Sequence, residues 1–321
     1  MPSVYITNPI PAIGINLLYR KGFKVDINKS GRDLSISGLK KIVGDYDAVL
    51  SFLTNKIDAD MIDYASKNLR VIANFAVGFD NIDVKAANSR GIIVCNTPGV
   101  ASESVAEHTF AMILALKKML IAQDKFVRDG KYNKWDPNLF LSYQVWGQTI
   151  GIIGLGRIGT FVAQIAHGGF RMNILYFDVK RSEDLEILAE AVYARIHEIL
   201  KRADIVTLHL PLDHQTRHLI GREEFRLMKN SALLINTARG PIVDEEALIW
   251  ALDSGEIAGA GLDVFEYEPK IGRELLQTNK VILSPHTASA TFETREEMSR
   301  IAAQNIIDVF ERKEPFGLVR V

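Results

Sequence analysis

Along the first hundred positions, apolar residues fall into short, β-branched runs separated by stretches with helical spacing. Residues 3–7, 24–27, 48–52, 70–74 and 92–95 read as strands, with helices at 10–20, 59–67 and 84–89 between them. A second alternation begins at Ile150, with strands near 174–178, 205–209, 232–236, 261–264 and 281–284. Two long helices frame it. One runs from Ser102, an N-cap candidate, to Ala122; the other spans 292–312, with Met298, Ile301, Ile306, Val309 and Phe310 at helical spacing. Strand–helix alternation of this kind predicts parallel sheets covered on both faces.

The segment Thr149-Ile150-Gly151-Ile152-Ile153-Gly154-Leu155-Gly156-Arg157-Ile158-Gly159 adds chemistry to the architecture. A β-prone run leads into G-x-G-x-x-G, a helix-compatible stretch follows, and Asp178 closes the next strand nineteen positions after Gly159. Gly154 permits the tight turn, Gly156 lets backbone approach a pyrophosphate, and Gly159 seats the helix on the strand. A carboxylate at Asp178 binds ribose hydroxyls and repels a 2′-phosphate. The expected cofactor is therefore NAD rather than NADP, although Lys180 and Arg181 follow closely and would pair with a 2′-phosphate in a rearranged loop. Leu155, Arg157 and Ile158 belong to the same cofactor-binding loop. The predicted fold class is α/β with two doubly wound parallel-sheet domains: a Rossmann domain at 102–286 inserted in a discontinuous flavodoxin-like domain at 1–101 and 287–321. The terminal stretch 318–321 adds back to the first domain, and the layout predicts a cleft between two rigid bodies.

Composition narrows the class. The 321 residues suffice for two domains, and a formal net charge of −1 gives no general attraction to nucleic acid or anionic lipid. The N-terminal strand is cut by Pro9 and Pro11 without the pattern of a signal peptide, and the most apolar long stretch contains Glu107, His108, Lys117 and Lys118. The single cysteine, Cys95, rules out an intramolecular disulfide and reads as a small core residue. These features predict a cytoplasmic protein without metal, membrane or nucleic-acid partners.

Three strand ends in the second half carry functional groups: Arg239 in Asn-Thr-Ala-Arg-Gly, Glu268 in Asp-Val-Phe-Glu-Tyr-Glu-Pro, and His286 after Ser-Pro. Open α/β sheets hold ligands at this edge. Together with Ala76-Val77-Gly78-Phe79-Asp80-Asn81-Ile82-Asp83 and Thr207-Leu208-His209-Leu210-Pro211, these segments make the chain resemble the D-isomer-specific 2-hydroxyacid dehydrogenase family over nearly its whole length, particularly the glyoxylate and hydroxypyruvate reductase branch. The resemblance implies reduction of a small 2-oxo acid. Arg239 would bind and polarise it, His286 would donate the proton, and Glu268 would hold the histidine. The chemistry asks for these types: a proton donor titrating near neutrality, a carboxylate that favours imidazolium and fixes the ring, and a planar fork for carboxylate and carbonyl together. Val77 and Gly78 resemble the backbone cradle for the substrate carboxylate, and Leu53 and Ser289 the lining of its pocket. His209, Pro211 and Thr216 resemble the loop along the cofactor cleft, although His209 also reads as a satisfied core histidine. Thr237, Ala238, Arg239 and His286 would touch cofactor, and Asp263 resembles the partner of the nicotinamide carboxamide.

The resemblance also implies a homodimer formed through the cofactor domain and residues 122–146. His108, His167, His197, His214 and His218 lack such context and read as solvated or structural. Two departures concern the substrate: Leu139 stands where many glyoxylate reductases resemble one another in carrying Trp, and Thr287-Ala288 replaces the common Ile-Gly. Both leave pocket size open. Alternative readings are a short-form phosphoglycerate or D-lactate dehydrogenase, or a corepressor-like NAD(H) sensor. The longer phosphoglycerate enzymes carry a regulatory domain that this sequence is not expected to include, and Glu268 disfavours formate dehydrogenase, whose pair is Gln–His.

Overall fold

The computed structural model describes residues 1–320; Val321, the end of the stretch expected to rejoin the first domain, lies outside the described residues. The elements in chain order are β1 (Ser3–Ile6), α1 (Ala12–Arg20), β2 (Lys24–Ile27), α2 (Ile36–Asp45), β3 (Ala48–Ser51), α3 (Ala59–Asp63), β4 (Val71–Asn74), α4 (Val84–Ser89) and β5 (Ile93–Cys95). They continue with α5 (Ser102–Lys117), α6 (Leu120–Arg128), β6 (Thr149–Ile153), α7 (Arg157–Phe170), β7 (Asn173–Phe177), α8 (Glu183–Leu188), β8 (Val192–Tyr193) and α9 (Ile196–Arg202). Then come β9 (Ile205–Leu208), α10 (Arg222–Leu227), β10 (Leu233–Asn236), α11 (Glu245–Ser254), β11 (Gly259–Leu262), α12 (Arg273–Gln277), β12 (Val281–Leu283) and α13 (Phe292–Phe310). Two units result, one of Met1–Ala101 with the residues from Ala290 onward, the other of Ser102–Ser289.

In the first unit all strands are parallel, in the order β2-β1-β3-β4-β5, which is the flavodoxin-like order. Side chains alternate across this sheet. Val4, Ile6, Leu50 and Val71 pack with Leu18 of α1 and Met298, Ala302 and Ile306 of α13, while Val49, Ile72 and Val94 meet α2, α3 and α4 on the opposite face. Ser35, Asp58 and Asp83 cap α2, α3 and α4 by accepting from the amides of Gly38, Met61 and Ala86. The helix α2 is absent from the sequence reading because Gly38 and Gly44 weaken its propensity; the Ser35 cap and the burial of Leu39, Ile42 and Val43 outweigh them. Near the C-terminus Val319 donates to the Val94 carbonyl at 2.9 Å, joining the edge strand β5. Cys95 is buried there, and burial pushes its thiol up to about 12.

The second unit has seven parallel strands in the order β12-β11-β10-β9-β6-β7-β8. Counted from β6, this is the dinucleotide-binding order 3-2-1-4-5-6 with a seventh strand at one edge. The order reverses between β6 and β9, so the loops after these strands flank the switch point. One helix expected over 102–122 is two: Met119 adopts a left-handed φ of 51°, ending α5 and starting α6, and Ser102 is the first helical residue rather than the cap. The unit continues to Ser289, three residues beyond the expected boundary, because the Thr287 and Ala288 amides both donate to Asp263, each at 2.8 Å. Among the described residues no helix is long and apolar enough to cross a membrane, and no group of three or more His, Cys, Asp or Glu is placed to hold a metal ion.

Candidate active site

The turn after β6 is built for backbone approach. Gly154 has φ of +97°, and a Cβ there would stand 2.6 Å from the His209 carbonyl oxygen. A Cβ on Gly159 would come within 2.2 Å of the Gly154 carbonyl oxygen, so the first turn of α7 seats directly on the glycine turn. Gly156 differs: nothing lies within 4 Å of a Cβ built on it. This open space lies where α7 begins, at Arg157 and Ile158, whose N–H groups precede any intrahelical acceptor. Asp178 follows β7 and accepts from the Leu155 amide at 2.6 Å and the Lys180 amide at 3.1 Å, which fixes its carboxylate beside the turn with lone pairs to spare.

His209, across the switch point, donates its amide to Ile153 and bonds through Nε2 to the Thr207 hydroxyl. Its Nδ1 is buried with no hydrogen-bond partner among the described residues, and burial pushes the ring's pKa down to about 3. A neutral ring with an unsatisfied nitrogen beside an open glycine loop suits a polar ligand. Thr216 closes the following loop, its hydroxyl donating to the Pro211 carbonyl at 2.7 Å. Open space at Gly156, helix-terminal amides at the start of α7, a fixed carboxylate and an orphaned buried nitrogen together fit a dinucleotide.

Three strand ends of the same sheet carry the arginine, glutamate and histidine singled out in the sequence. After β10, the buried Asn236 accepts from the Ala238 amide at 3.1 Å and donates to the Arg239 carbonyl at 2.9 Å, shaping the turn that presents the guanidinium. The Thr237 hydroxyl pairs with Thr109 of α5 at 3.2 Å. A Cβ on Gly240 would meet the Phe265 carbonyl oxygen at 1.9 Å, so only glycine lets the arginine turn lie against the segment leading to Glu268. Glu268 accepts from the Phe265 amide at 2.9 Å through one carboxylate oxygen and faces His286 Nδ1 at 2.9 Å through the other. Partial burial pushes the Glu268 carboxyl up, but the hydrogen bond and charge of His286, the Phe265 amide and the Arg239 charge outweigh it and hold the group below its ordinary range.

His286 has a left-handed φ of 54°, held by its amide's bond to the Asp263 carbonyl at 2.8 Å. The Asp263 side chain is 1 % exposed and takes the Thr287 and Ala288 amides and the Ser284 hydroxyl, so it clamps the backbone that follows the histidine. His108 of α5 completes this cluster, 2.9 Å from Ser284 Oγ and 3.7 Å from Asp263.

In the first unit, Asn74 donates to the Gly78 carbonyl at 2.9 Å and Asn96 to the Val77 carbonyl at 2.7 Å. Asn81 donates to the Phe52 carbonyl at 3.1 Å and bonds with Asn74, tying the Leu53 loop to the Val77–Gly78 turn. Leu53, Val77 and Gly78 are thus brought together within that unit; Arg239, Glu268, His286 and Asp263 are brought together within the other, as are Gly154, Asp178 and His209. Among the described residues Pro211 and Thr216 bond only to their own loop, and Ser289 ends the second unit. Sequence reasoning missed Asn74, Asn96, Asn236 and Ser284. A polar residue closing an apolar run, as in Val71-Ile72-Ala73-Asn74 and Leu233-Leu234-Ile235-Asn236, is the signal that would have found the first and third.

The model of the NAD binding domain of D-isomer specific 2-hydroxyacid dehydrogenases matches residues 110–288. The chain belongs to this family. It is 45% identical over 317 residues to a glyoxylate reductase of Pyrococcus furiosus, covering 98% of this chain and 93% of that one. A crystal structure of a Thermus thermophilus protein superposes with a TM-score of 0.92 at 37% identity, covering 99% of this chain and all of the other. An NADPH-dependent glyoxylate/hydroxypyruvate reductase of Sinorhizobium meliloti, solved with NADP and malonate, gives 0.87 at 30% identity over 99% of this chain and 96% of that one. The chain is accordingly an oxidoreductase that uses a nicotinamide dinucleotide, with two parallel-sheet α/β units.

Proposed function

We propose that this dehydrogenase reduces glyoxylate or hydroxypyruvate to the 2-hydroxy acid with NADH. The observation that carries the reading is the His286–Glu268 pair at 2.9 Å on the strand edge that also bears Arg239. The bound dinucleotide supplies a hydride to C2 of the acid. His286 turns Nδ1 to Glu268 and presents its other nitrogen, whose proton goes to the former carbonyl oxygen as charge develops there. Glu268 fixes the ring's orientation through Nδ1. Arg239 engages carboxylate and carbonyl with one planar fork and stabilises the growing alkoxide. In the first unit the carbonyls of Val77 and Gly78 accept from asparagines, which leaves this turn its N–H groups as donors to the substrate carboxylate; Leu53 of this unit and Ser289 of the other are further substrate contacts in this reading.

On the cofactor side, the amides of Arg157 and Ile158 at the start of α7 hold the pyrophosphate, with Gly154, Leu155, Gly156 and Gly159 shaping the turn against it. Asp178 accepts from the adenosine ribose and makes NAD the preferred form. His209, Pro211, Thr216, Thr237 and Ala238 line the dinucleotide, and Asp263 offers a remaining lone pair to the nicotinamide carboxamide. The activity belongs to the cytoplasm, where the lone Cys95 stays reduced. The test is NADH consumption with glyoxylate, hydroxypyruvate, its 3-phosphate, pyruvate and longer 2-oxo acids. The highest kcat/KM is expected for one of the first two; preference for another acid redirects the substrate, and no turnover with any sinks the reading.

The working form is a homodimer. No residue of α6 is buried, and Ile121, Val127, Trp135, Leu141, Tyr143 and Trp146 leave a run of apolar surface between 55 and 76 % exposed. Patches of this kind on one chain mark contact surfaces, and a second copy presents the same face in a two-fold pair. Light scattering should give twice the chain mass, and Trp135→Asp with Tyr143→Asp should return it to one; a monomeric wild type refutes the dimer.

A further inference from the structure

The corner between β7 and α8 carries a cation that is already engaged. Arg181 stands three residues past Asp178, and in this fold an arginine near that acid accommodates the 2′-phosphate of NADP. Here its guanidinium makes a two-pronged pair with Glu186 of α8, Nε to Oε1 at 3.1 Å and Nη2 to Oε2 at 2.7 Å. It also lies 5.4 Å over the ring of Tyr193 of β8. Glu186 accepts in addition from the Tyr176 hydroxyl at 2.5 Å, and that hydroxyl oxygen accepts from the Ser182 amide at 2.9 Å. The Tyr193 hydroxyl donates to the Asp178 carbonyl at 3.3 Å. Acid, arginine, two tyrosines and the backbone from Asp178 to Ser182 therefore form one closed set of contacts.

We infer that Glu186 is a specificity-determining residue that holds Arg181 away from the adenosine ribose and so withholds the planar cation a 2′-phosphate needs. This rests on the reading of Asp178 as the ribose acceptor and deepens it: Asp178 repels the phosphate, and Glu186 removes the compensating charge. A two-pronged charge-assisted pair has the geometry an arginine would otherwise offer to a phosphate, so the two partners compete for one fork. Lys180 remains nearby, but its ammonium is a strongly hydrated point charge without that fork.

The two claims separate in binding titrations of AMP and of adenosine 2′,5′-bisphosphate followed by calorimetry, with NADH and NADPH kinetics in parallel. Asp178→Asn should tighten the bisphosphate relative to AMP by about tenfold, as removal of one close like charge implies. Adding Glu186→Gln, which keeps an acceptor for Tyr176, should tighten it by roughly a further three- to tenfold, and adding Arg181→Ala should cancel that second gain. An unchanged ratio in Asp178→Asn removes the ribose reading. A first gain without a second, or a second gain that survives Arg181→Ala, overturns the role of Glu186. Arg181→Ala alone should leave both wild-type affinities within about twofold, because the guanidinium is engaged elsewhere; selective loss of bisphosphate binding in that variant also overturns the proposal, even if the Glu186 variants fail to fold.

Discussion

Two stretches of one sheet edge are assembled in opposite ways. The turn after β6 is made of backbone: Gly154 supplies a left-handed φ, Gly156 an open space and α7 its first amides, all within six consecutive residues. The proposed acid–base edge is made of side chains from three separate strand ends, with Arg239, Glu268 and His286 meeting through Asn236, Gly240 and Asp263. A backbone site needs only the right local conformations. A side-chain site needs each strand end placed against the next, so its weak points lie in residues that touch no reactant.

The largest test of this contrast is His286→Ala, which should lower kcat by about 10²–10⁴ while NADH binding stays within about twofold. Coupled loss of both would mean that the two stretches are not separable. Gly240→Ala should destabilise the fold by about 2–3 kcal/mol or more in denaturant unfolding, since its new methyl meets backbone at 1.9 Å. Little change in midpoint would show that the arginine turn is held by something other than close approach.

His209→Asn addresses the glycine side. The folded ring's pKa is lowered to about 3 from an ordinary 6.5, so an unfolded chain binds a proton that the folded one refuses. That contribution is complete above about pH 6.5 and is lost progressively as pH falls toward 3, the loss reaching up to about 2 kcal/mol at pH 5. The variant should flatten the wild-type decline in melting temperature between pH 7 and 5; parallel declines would contradict a buried neutral ring.

The smallest expected effect is that of Glu268→Gln, roughly tenfold in kcat/KM for reduction. Because the folded carboxyl titrates below its ordinary value, its pairing with His286 is intact above the unfolded pKa and lost as pH falls through the folded one. The deficit of the variant should therefore be constant near neutrality and shrink in acid, and a pH-independent deficit would contradict a role for the carboxylate's charge.

Strand–helix rhythm was legible in the sequence wherever apolar runs were long, as in Val71-Ile72-Ala73-Asn74 or Ile150 to Ile153. It failed at α2, where two glycines dilute the signal, at the two-residue β8, and at Met119, where an apolar pattern runs unbroken through a left-handed residue. The glycine fingerprint and the residue types at the three strand ends could be read directly. Their supports could not, because Asn236, Ser284 and His108 are ordinary residues until distant segments make them neighbours.

By itself the sequence determined the two alternating α/β segments and the dinucleotide turn, and it singled out Arg239, Glu268 and His286 as candidates, since these readings depend on local conformation and on side-chain chemistry. Only the tertiary structure decided which acid faces which cation: Glu268 with His286, Asp263 with the backbone after it, and Glu186 with Arg181. The reason is physical. A charge acts over a few ångströms, and those distances are set by packing between strands far apart in the chain.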